Sequence, residues 1–561
     1  MSAHVTSADS HGEELNYLNH ETGLWSWLTT VDHKRIGLMY LYTILIFFFV
    51  AGIFALLLRT ELMTAGHTIM DAETYNMFFT LHGAIMIFLF IVPGIPATMG
   101  NFLLPLMIGA KDVAFPRLNL LSYYVYVVGA LMALVALLRP IGPEGLRKLM
   151  AAIGIVGPVD TGWTFYAPYS LQSGSSVIWM TAAAFVLGFS SILTGLNFVV
   201  TVHKLRAPGM TWDRLPVFVW ATYATAIIQT LATPVVGITL LLLIMERTMG
   251  VGIFDPKLGG DPVLFQHFFW FYSHPVVYIM VLPAFGVVGE IIPVFSRKPI
   301  FGYKAVCYAS LAIALIGFFV WAHHMFVAGI SDTSAIYFSG ITFAVAVPTA
   351  VKVFNWVSTM YKGSIRFESP MLYAMGFVFL FMVAGTTGIY LATLAVDVFY
   401  HDTYFVVAHF HYTIQGGAVI GLMAALHFWF PKMYGRMYNE TFAKVAWVLV
   451  FVGFNLTFLP QFVLGMEGMP RRYYDYLPQF QTMHQVSTIG AYINALGYSA
   501  ALFNLIYAAM FSKRKAPTNP YNSLSLEWQT QSPPVHENFK ETPVVTQWTY
   551  GYGEPVEGKS H

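Results

Sequence analysis

The sequence predicts an all-α integral membrane protein, a bundle of about twelve membrane-spanning helices with both termini inside. Three observations predict it. Of 561 residues, 57% are hydrophobic and only 10% charged, against about 25% charged in soluble domains. About twelve apolar stretches reach the roughly 20 residues that a helix needs to cross a bilayer. Lysine and arginine divide unevenly between alternate connections. The net charge of +1 selects no nucleic-acid partner. Cys307 is the single cysteine, which excludes an internal disulfide, thiolate-held clusters and c-type haem attachment within the chain.

The chain divides into an extramembrane segment (1–35), a helical domain (36–511) and an extramembrane tail (512–561). The leading segment, "MSAHVTSADSHGEELNYLNHETG", lacks a basic region followed by an apolar core, so it does not read as a cleaved signal peptide. Span one (37–59) follows the basic "DHKRIG" and ends on Arg59. Span two (77–99) carries His82 near its start, and span three (118–138) follows "LLPLMIGAKDVAFPRLN". Spans four (175–202) and five (216–245) are apolar, with Ser190 and Ser191 inside the former. Span six (264–295) contains "WFYSHPVVYIM", and span seven (302–327) nearly ends on His323 and His324. Span eight (334–361) holds Lys352, span nine (370–395) Thr387 and span ten (403–430) "VVAHFHYTI". Spans eleven (443–466) and twelve (488–511) precede the tail, which begins "FSKRKAPTNP". No internal repeat is evident.

With the N-terminus inside, the basic runs Lys34–Arg35, Lys204–Arg206, Arg297–Lys298 and Lys513–Arg514–Lys515 all fall inside. The outside connections carry far fewer cations. This topology sets depth. His82 lies about six residues into span two, His274 about ten into span six, and His409 and His411 six to eight into span ten. His323 and His324 fall a few residues from the outer end of span seven. At about 1.5 Å per residue, all six histidines lie within roughly 15 Å of the outer boundary.

A single membrane histidine commonly bonds neighbouring helices. Six from four segments at one depth argue for a site, because intramembrane ionisable groups are costly and imidazole suits copper and iron. Proton relay is the other use, but an adjacent histidine pair favours coordination. His409 and His411 point about 200° apart on a helix, so they serve two sites. They can ligate two haem irons, with His82 as a second axial ligand to one. His274, His323 and His324 then suit a copper beside the open haem. Tyr278 shares a helix face with His274. Its phenol can supply a proton and an electron, or it can simply pack.

These motifs closely resemble subunit I of the haem–copper oxidases, of the cytochrome c oxidase type, from "DHKRIG" to "GMPRRYYDY". The resemblance implies that His411 and His82 bind a low-spin haem a and His409 a high-spin haem a3. It implies that His274, His323 and His324 bind copper (CuB), and that Tyr278 cross-links to a copper ligand and takes part in O–O cleavage. His401 and Asp402 match residues that hold magnesium at a subunit interface. Arg471, Arg472 and Trp163 match the surroundings of the haem propionates, and Arg59 a residue near the low-spin haem's formyl group; Tyr404 also fits an a-type neighbour. Asp112, Asn101 and Asn119 resemble the mouth of the D pathway for protons, and Ser190 and Ser191 its upper hydroxyls. Lys352, Thr349 and Thr387 resemble the K pathway. A central membrane lysine costs about 2.5–3.5 kcal/mol, and snorkelling to the inner surface is its alternative.

Two departures stand out. Many members carry His-Pro-Glu-Val at the copper motif, whereas this chain reads "SHPVVY" with Val276 in the glutamate's place. The preceding Tyr272–Ser273 resembles the branch that uses a Tyr-Ser pair instead. His203 stands where many relatives have asparagine. The resemblance implies a redox-driven proton pump in which electrons pass through the low-spin haem to the haem–copper pair and O2 becomes water. It implies a dicopper subunit II, a subunit III-like partner and small subunits. The expected donor is cytochrome c or a fused or associated cytochrome. A bacterial cytoplasmic membrane is favoured over the mitochondrial inner membrane. Quinol oxidation, nitric oxide reduction and a twelve-helix carrier are the rival readings.

Overall fold

The structure, a computed structural model, describes residues 15–552. Residues 1–14 of the polar leading segment and 553–561 of the tail lie outside the described residues. Among the described residues eleven helices are long and apolar enough to cross a membrane, and a shorter apolar helix completes the bundle. In chain order they are α1 (His33–Glu61), α2 (Ala72–Ile108), α3 (Pro116–Val135), α4 (Val177–Lys204), α5 (Val217–Met249) and α6 (Pro262–Ser296). Then come α7 (Tyr303–Phe319), α8 (Asp332–Met360), α9 (Ser369–Ala392), α10 (Tyr404–Tyr434), α11 (Glu440–Met466) and α12 (Pro478–Phe511). The described residues contain no β-strand.

Each predicted span has its helix, but the seventh is shorter than 302–327 suggests. Regular α-helix ends at Ile316, and the chain continues in 3-10 turns at Gly317–Phe319 and Trp321–Met325. Gly317 has a reason to be there: a β-carbon would sit 2.8 Å from the Tyr278 ring. Adjacent side chains on an α-helix diverge by about 100°. Leaving the α-helix before His323 and His324 accompanies the meeting of their rings, 4.3 Å apart.

Burial sorts the helices. The apolar windows of α6 and α10 are 89% and 83% buried, against 28% for α1 and 22% for α8. The most enclosed helices, α6, α10 and α2, therefore carry His274, His409, His411 and His82. Two of them depart from α-geometry just beyond a histidine. A π-turn runs Ile85–Ile91 after His82, and another runs Ile414–Val419 after His411. Such turns add a residue to the helix and are frequent at functional sites.

Glycines let helices touch. A β-carbon on Gly465 of α11 would fall 2.0 Å from the Phe405 backbone nitrogen at the start of α10. Small residues permit this approach in membrane bundles. Gly465→Ala is expected to push α10 outward and destabilise the bundle by about 1–3 kcal/mol. The midpoint of thermal unfolding checks it; an unchanged midpoint would mean that the two helices can part freely.

The tail folds back across one end of the bundle. Tyr17 N–H donates to Pro534 O at 3.0 Å, and the Tyr17 hydroxyl to Met433 O at 2.6 Å. Lys34 Nζ donates to Asn538 Oδ1 at 2.8 Å, while Asn538 Nδ2 reaches His33 Nε2 and Ala110 O, each at 2.8 Å. Tyr550 donates to Glu290 of α6 at 2.7 Å. Segments from the two ends of the chain thus share one face of the bundle.

Candidate metal centre

His274, His323 and His324 place their ligand atoms within 4.8 Å of one another. His274 Nδ1 lies 3.3 Å from His324 Nε2, which lies 3.1 Å from His323 Nε2. Thr342 donates its hydroxyl to Phe338 O, so it can only accept from His323 Nδ1, 3.1 Å away. That leaves His323 Nε2 with a lone pair facing the cluster. Trp270 stacks on His324 with centroids 3.8 Å apart and planes 8° apart, fixing its plane. His274 Nε2 is buried without a hydrogen-bond partner. The Tyr278 ring centroid lies 4.8 Å from that of His274.

The other histidines share one arrangement. His82 Nδ1 lies 3.0 Å from Ala51 O, and His411 Nδ1 lies 2.8 Å from Val407 O. A carbonyl only accepts, so each Nδ1 donates and each Nε2 keeps its lone pair. His409 Nδ1 meets Thr387 Oγ1 at 3.0 Å, and that hydroxyl already donates to Val383 O. Its Nε2 is free for the same reason. Such partners fix tautomer and orientation in metal-ligating histidines. Gly388 admits the His409 ring closely, since a β-carbon there would sit 3.0 Å from it.

Unpaired guanidinium atoms surround this layer. Arg471 has a side chain 13% exposed and stands 5.4 Å over the Phe410 ring; its closest carboxylate, Asp402, is 3.8 Å away. Burial, with Arg472 beside it, lowers its pKa to about 10. Arg471 Nε and Arg59 Nε are buried without partners. Arg59 otherwise bonds the carbonyl of His484 and the hydroxyl of Thr488. Guanidinium groups with buried, unpartnered Nε atoms have room for further carboxylates, and haem propionates are carboxylates. The bare Nε2 atoms and these guanidinium groups therefore fit haem, and the three converging imidazoles fit copper. Trp163 packs on Trp270 at 5.9 Å. Tyr404 lies 5.2 Å from the His484 ring.

Other candidates are more dispersed. His401 Nδ1 pairs with Asp397 at 2.8 Å, and burial raises the Asp397 pKa. Asp402 adopts a left-handed φ of 53° and accepts Arg471 N–H on its backbone. Lys352 does not snorkel: it is fully buried and donates to Ser310 Oγ at 2.7 Å and Val306 O at 2.9 Å. Thr349 bonds Val345 O within its own helix, and Thr387 reaches His409 rather than Lys352.

Asp112 sits in the α2–α3 connection, where burial raises its pKa to about 7. The Asn119 side-chain amide, Asn101 Oδ1 and Ser191 Oγ are buried without partners, while Ser190 bonds Tyr40 at 3.0 Å. A cavity of about 30 Å³ is lined by Ser190, Ser191, Thr194, Gln229 and Tyr272. Ser273 Oγ, Gln229 Oε1 and Thr233 Oγ1 are also unpartnered. His203 bonds Tyr223 at 2.9 Å.

Sequence reasoning missed Trp270, Thr342, Asp397 and His484. Trp270 stands four residues before His274, and that spacing alone puts it on the same face. Asp397 likewise stands four residues before His401, whereas Thr342 and His484 carry no local signal.

Residues 35–493 match the family described as cytochrome c and quinol oxidase polypeptide I. The chain is 45% identical over 535 residues to cytochrome c oxidase subunit 1 of Thermostichus vulcanus, covering 94% of each chain. It is 42% identical over 574 residues to the Cereibacter sphaeroides subunit, covering 97% of this chain and 99% of that one. The Bacillus subtilis subunit is 41% identical over 525 residues, 93% of this chain and 82% of that one. The solved structure of a heme–copper terminal oxidase dimer shares the fold, with TM-score 0.73, 21% identity, and 86% and 85% of the two chains covered. A match over most of the chain, on a bundle whose enclosed helices converge their imidazoles, means that the chain belongs to the cytochrome c and quinol oxidase polypeptide I family, as the catalytic membrane subunit of a haem–copper terminal oxidase.

Proposed function

We propose that this subunit takes electrons originating from cytochrome c and reduces O2 to water while pumping protons across a bacterial cytoplasmic membrane. The observation that carries the proposal is the convergence of His274, His323 and His324, whose ligand atoms lie within 4.8 Å of one another. His82 and His411 hold a low-spin haem a, His409 a haem a3 and the trio a copper. When bound, the haem–copper pair supplies the electrons and open coordination positions that O2 reduction needs. The protein's own residues do the rest. His274, whose Nδ1 faces His324, would hold the copper with His323 and His324, and the cross-link that the family resemblance implies would join it to Tyr278, whose ring centroid lies 4.8 Å away. Tyr278 holds a proton beside the reacting atoms. Arg471, Arg472 and Trp163 hold the propionates, and Arg59 and Tyr404 lie by the low-spin haem. His401 and Asp402 hold magnesium with ligands from a partner subunit.

Electron entry requires a subunit II with a dicopper centre, because one cysteine cannot build it here. A subunit III-like chain and small subunits complete the complex. The relatives' shared name supports cytochrome c, free or associated, as the donor rather than quinol. Metal and haem analysis of the purified complex, stripped of any copper-bearing partner, is expected to give two a-type haems and one copper per chain. Non-haem iron in copper's place, or no haem, would refute it.

Protons enter at Asp112 and pass Asn101, Asn119, Ser190 and Ser191 to Tyr272 and Ser273. Lys352, with Thr349 and Thr387 above it, serves the second route. The cavity shared by Ser190, Ser191 and Tyr272 supports the first; about 30 Å³ exceeds what one water requires. Tyr272→Phe is expected to abolish pumping and slow turnover at least tenfold, read as protons released per electron in vesicles. Normal pumping would dismiss Tyr272 as the stand-in for the family glutamate.

A further inference from the structure

The connection between α3 and α4 contains a helix, Glu144–Ala152, none of whose residues is buried. Leu146, Leu149, Met150 and Ile153 recur at the spacing of one helix face, and Leu149 and Ile153 are 60% and 52% exposed. Arg147 and Lys148 lie off that stripe, with Lys148 bridged to Glu144 at 2.7 Å. An uncovered apolar stripe needs a cover.

Three observations identify it. Val128, Leu131 and Leu134 of α3 are exposed, as are Leu138 and Ile141 on the way to the stripe. Exposed apolar side chains therefore recur along the chain from a span to this helix. The helix is also pinned at interface depth: Trp179, in the first turn of α4, donates from Nε1 to Ile153 O at 2.7 Å, and tryptophan favours the headgroup level. Arg139, at the other end, approaches Glu73 in the first turn of α2 at 3.7 Å. Finally, three cations and a single carboxylate flank the stripe between residues 139 and 152.

We infer that the Glu144–Ala152 helix lies flat in the membrane interface opposite the termini, with its leucines in the acyl region and Arg147 and Lys148 on anionic phospholipid headgroups. Such helices combine buried apolar area with attraction to anionic lipid. A protein subunit would cover the same stripe by screening it from lipid and water alike.

The test uses the intact purified complex in nanodiscs with a nitroxide on Leu149→Cys or on Lys148→Cys. Cys307 is buried, so the parent protein controls for labelling. The Leu149 label is expected to be several-fold more accessible to O2 than to a water-soluble nickel reagent, and the Lys148 label the reverse. Replacing phosphatidylcholine with phosphatidylglycerol is expected to raise the Leu149 ratio further, and high salt to cancel that rise. A Leu149 label open to nickel, or screened from both reagents, would overturn the inference. So would a ratio indifferent to phosphatidylglycerol.

Discussion

Replacing His324 with alanine is expected to empty the copper position and stop oxygen reduction while leaving both haems in place. The His324 Nε2 atom lies between His274 Nδ1 and His323 Nε2, at 3.3 and 3.1 Å. Without it the two remaining imidazoles have no third donor. Loss of an outer partner of a metal ligand already costs about 10–100-fold in metal affinity or activity. Loss of the ligand itself should exceed that range, so turnover is expected to fall by more than about a hundredfold. His82, His409 and His411 stand on α2 and α10 and keep their partners on Ala51, Thr387 and Val407. Copper and haem per chain, measured with O2 consumption, separate the outcomes. Full copper in the variant would mean that some other donor completes the trio.

Tyr278→Phe tests the chemistry rather than the scaffold. The phenyl ring keeps its place against Gly317, whose missing β-carbon makes room for it. The hydroxyl disappears, and with it the proposed cross-link to His274. A positioned proton donor contributes about 10²–10⁴-fold, so turnover is expected to fall by that factor with copper and haem content intact. Unchanged turnover would remove the phenol from the reaction. Metal loss would instead assign it a role in assembling the site.

Much of this was legible in residue types. The spans follow from apolar length. The depth argument selects the histidines of α2, α6, α7 and α10, because charge in the connections fixes which end of each helix is outermost. Span seven was misjudged in length because hydropathy does not register a change from α to 3-10 geometry at Gly317. The groups that fix each imidazole were less legible. Thr342 and Thr387 stand on helices other than their histidines', and a lone threonine in an apolar run gives no sign of its partner. Thr387 is expected on the route of Lys352, and its contact with His409 Nδ1 at 3.0 Å has no sign in the sequence. The tail was read only as polar, and its buried contacts depend on tertiary packing.

Those contacts impose an order on biogenesis. His33 and Lys34 open the first span, and the Asn538 amide that meets both is 505 and 504 residues downstream. A ribosome working from the N-terminus delivers that amide only after every span has been made. The first helix therefore waits through the whole of translation with its base unfinished. Insertion proceeds from the N-terminus forward, while the sealing of that face is retrospective, the segment around Asn538 closing over the base of the first span.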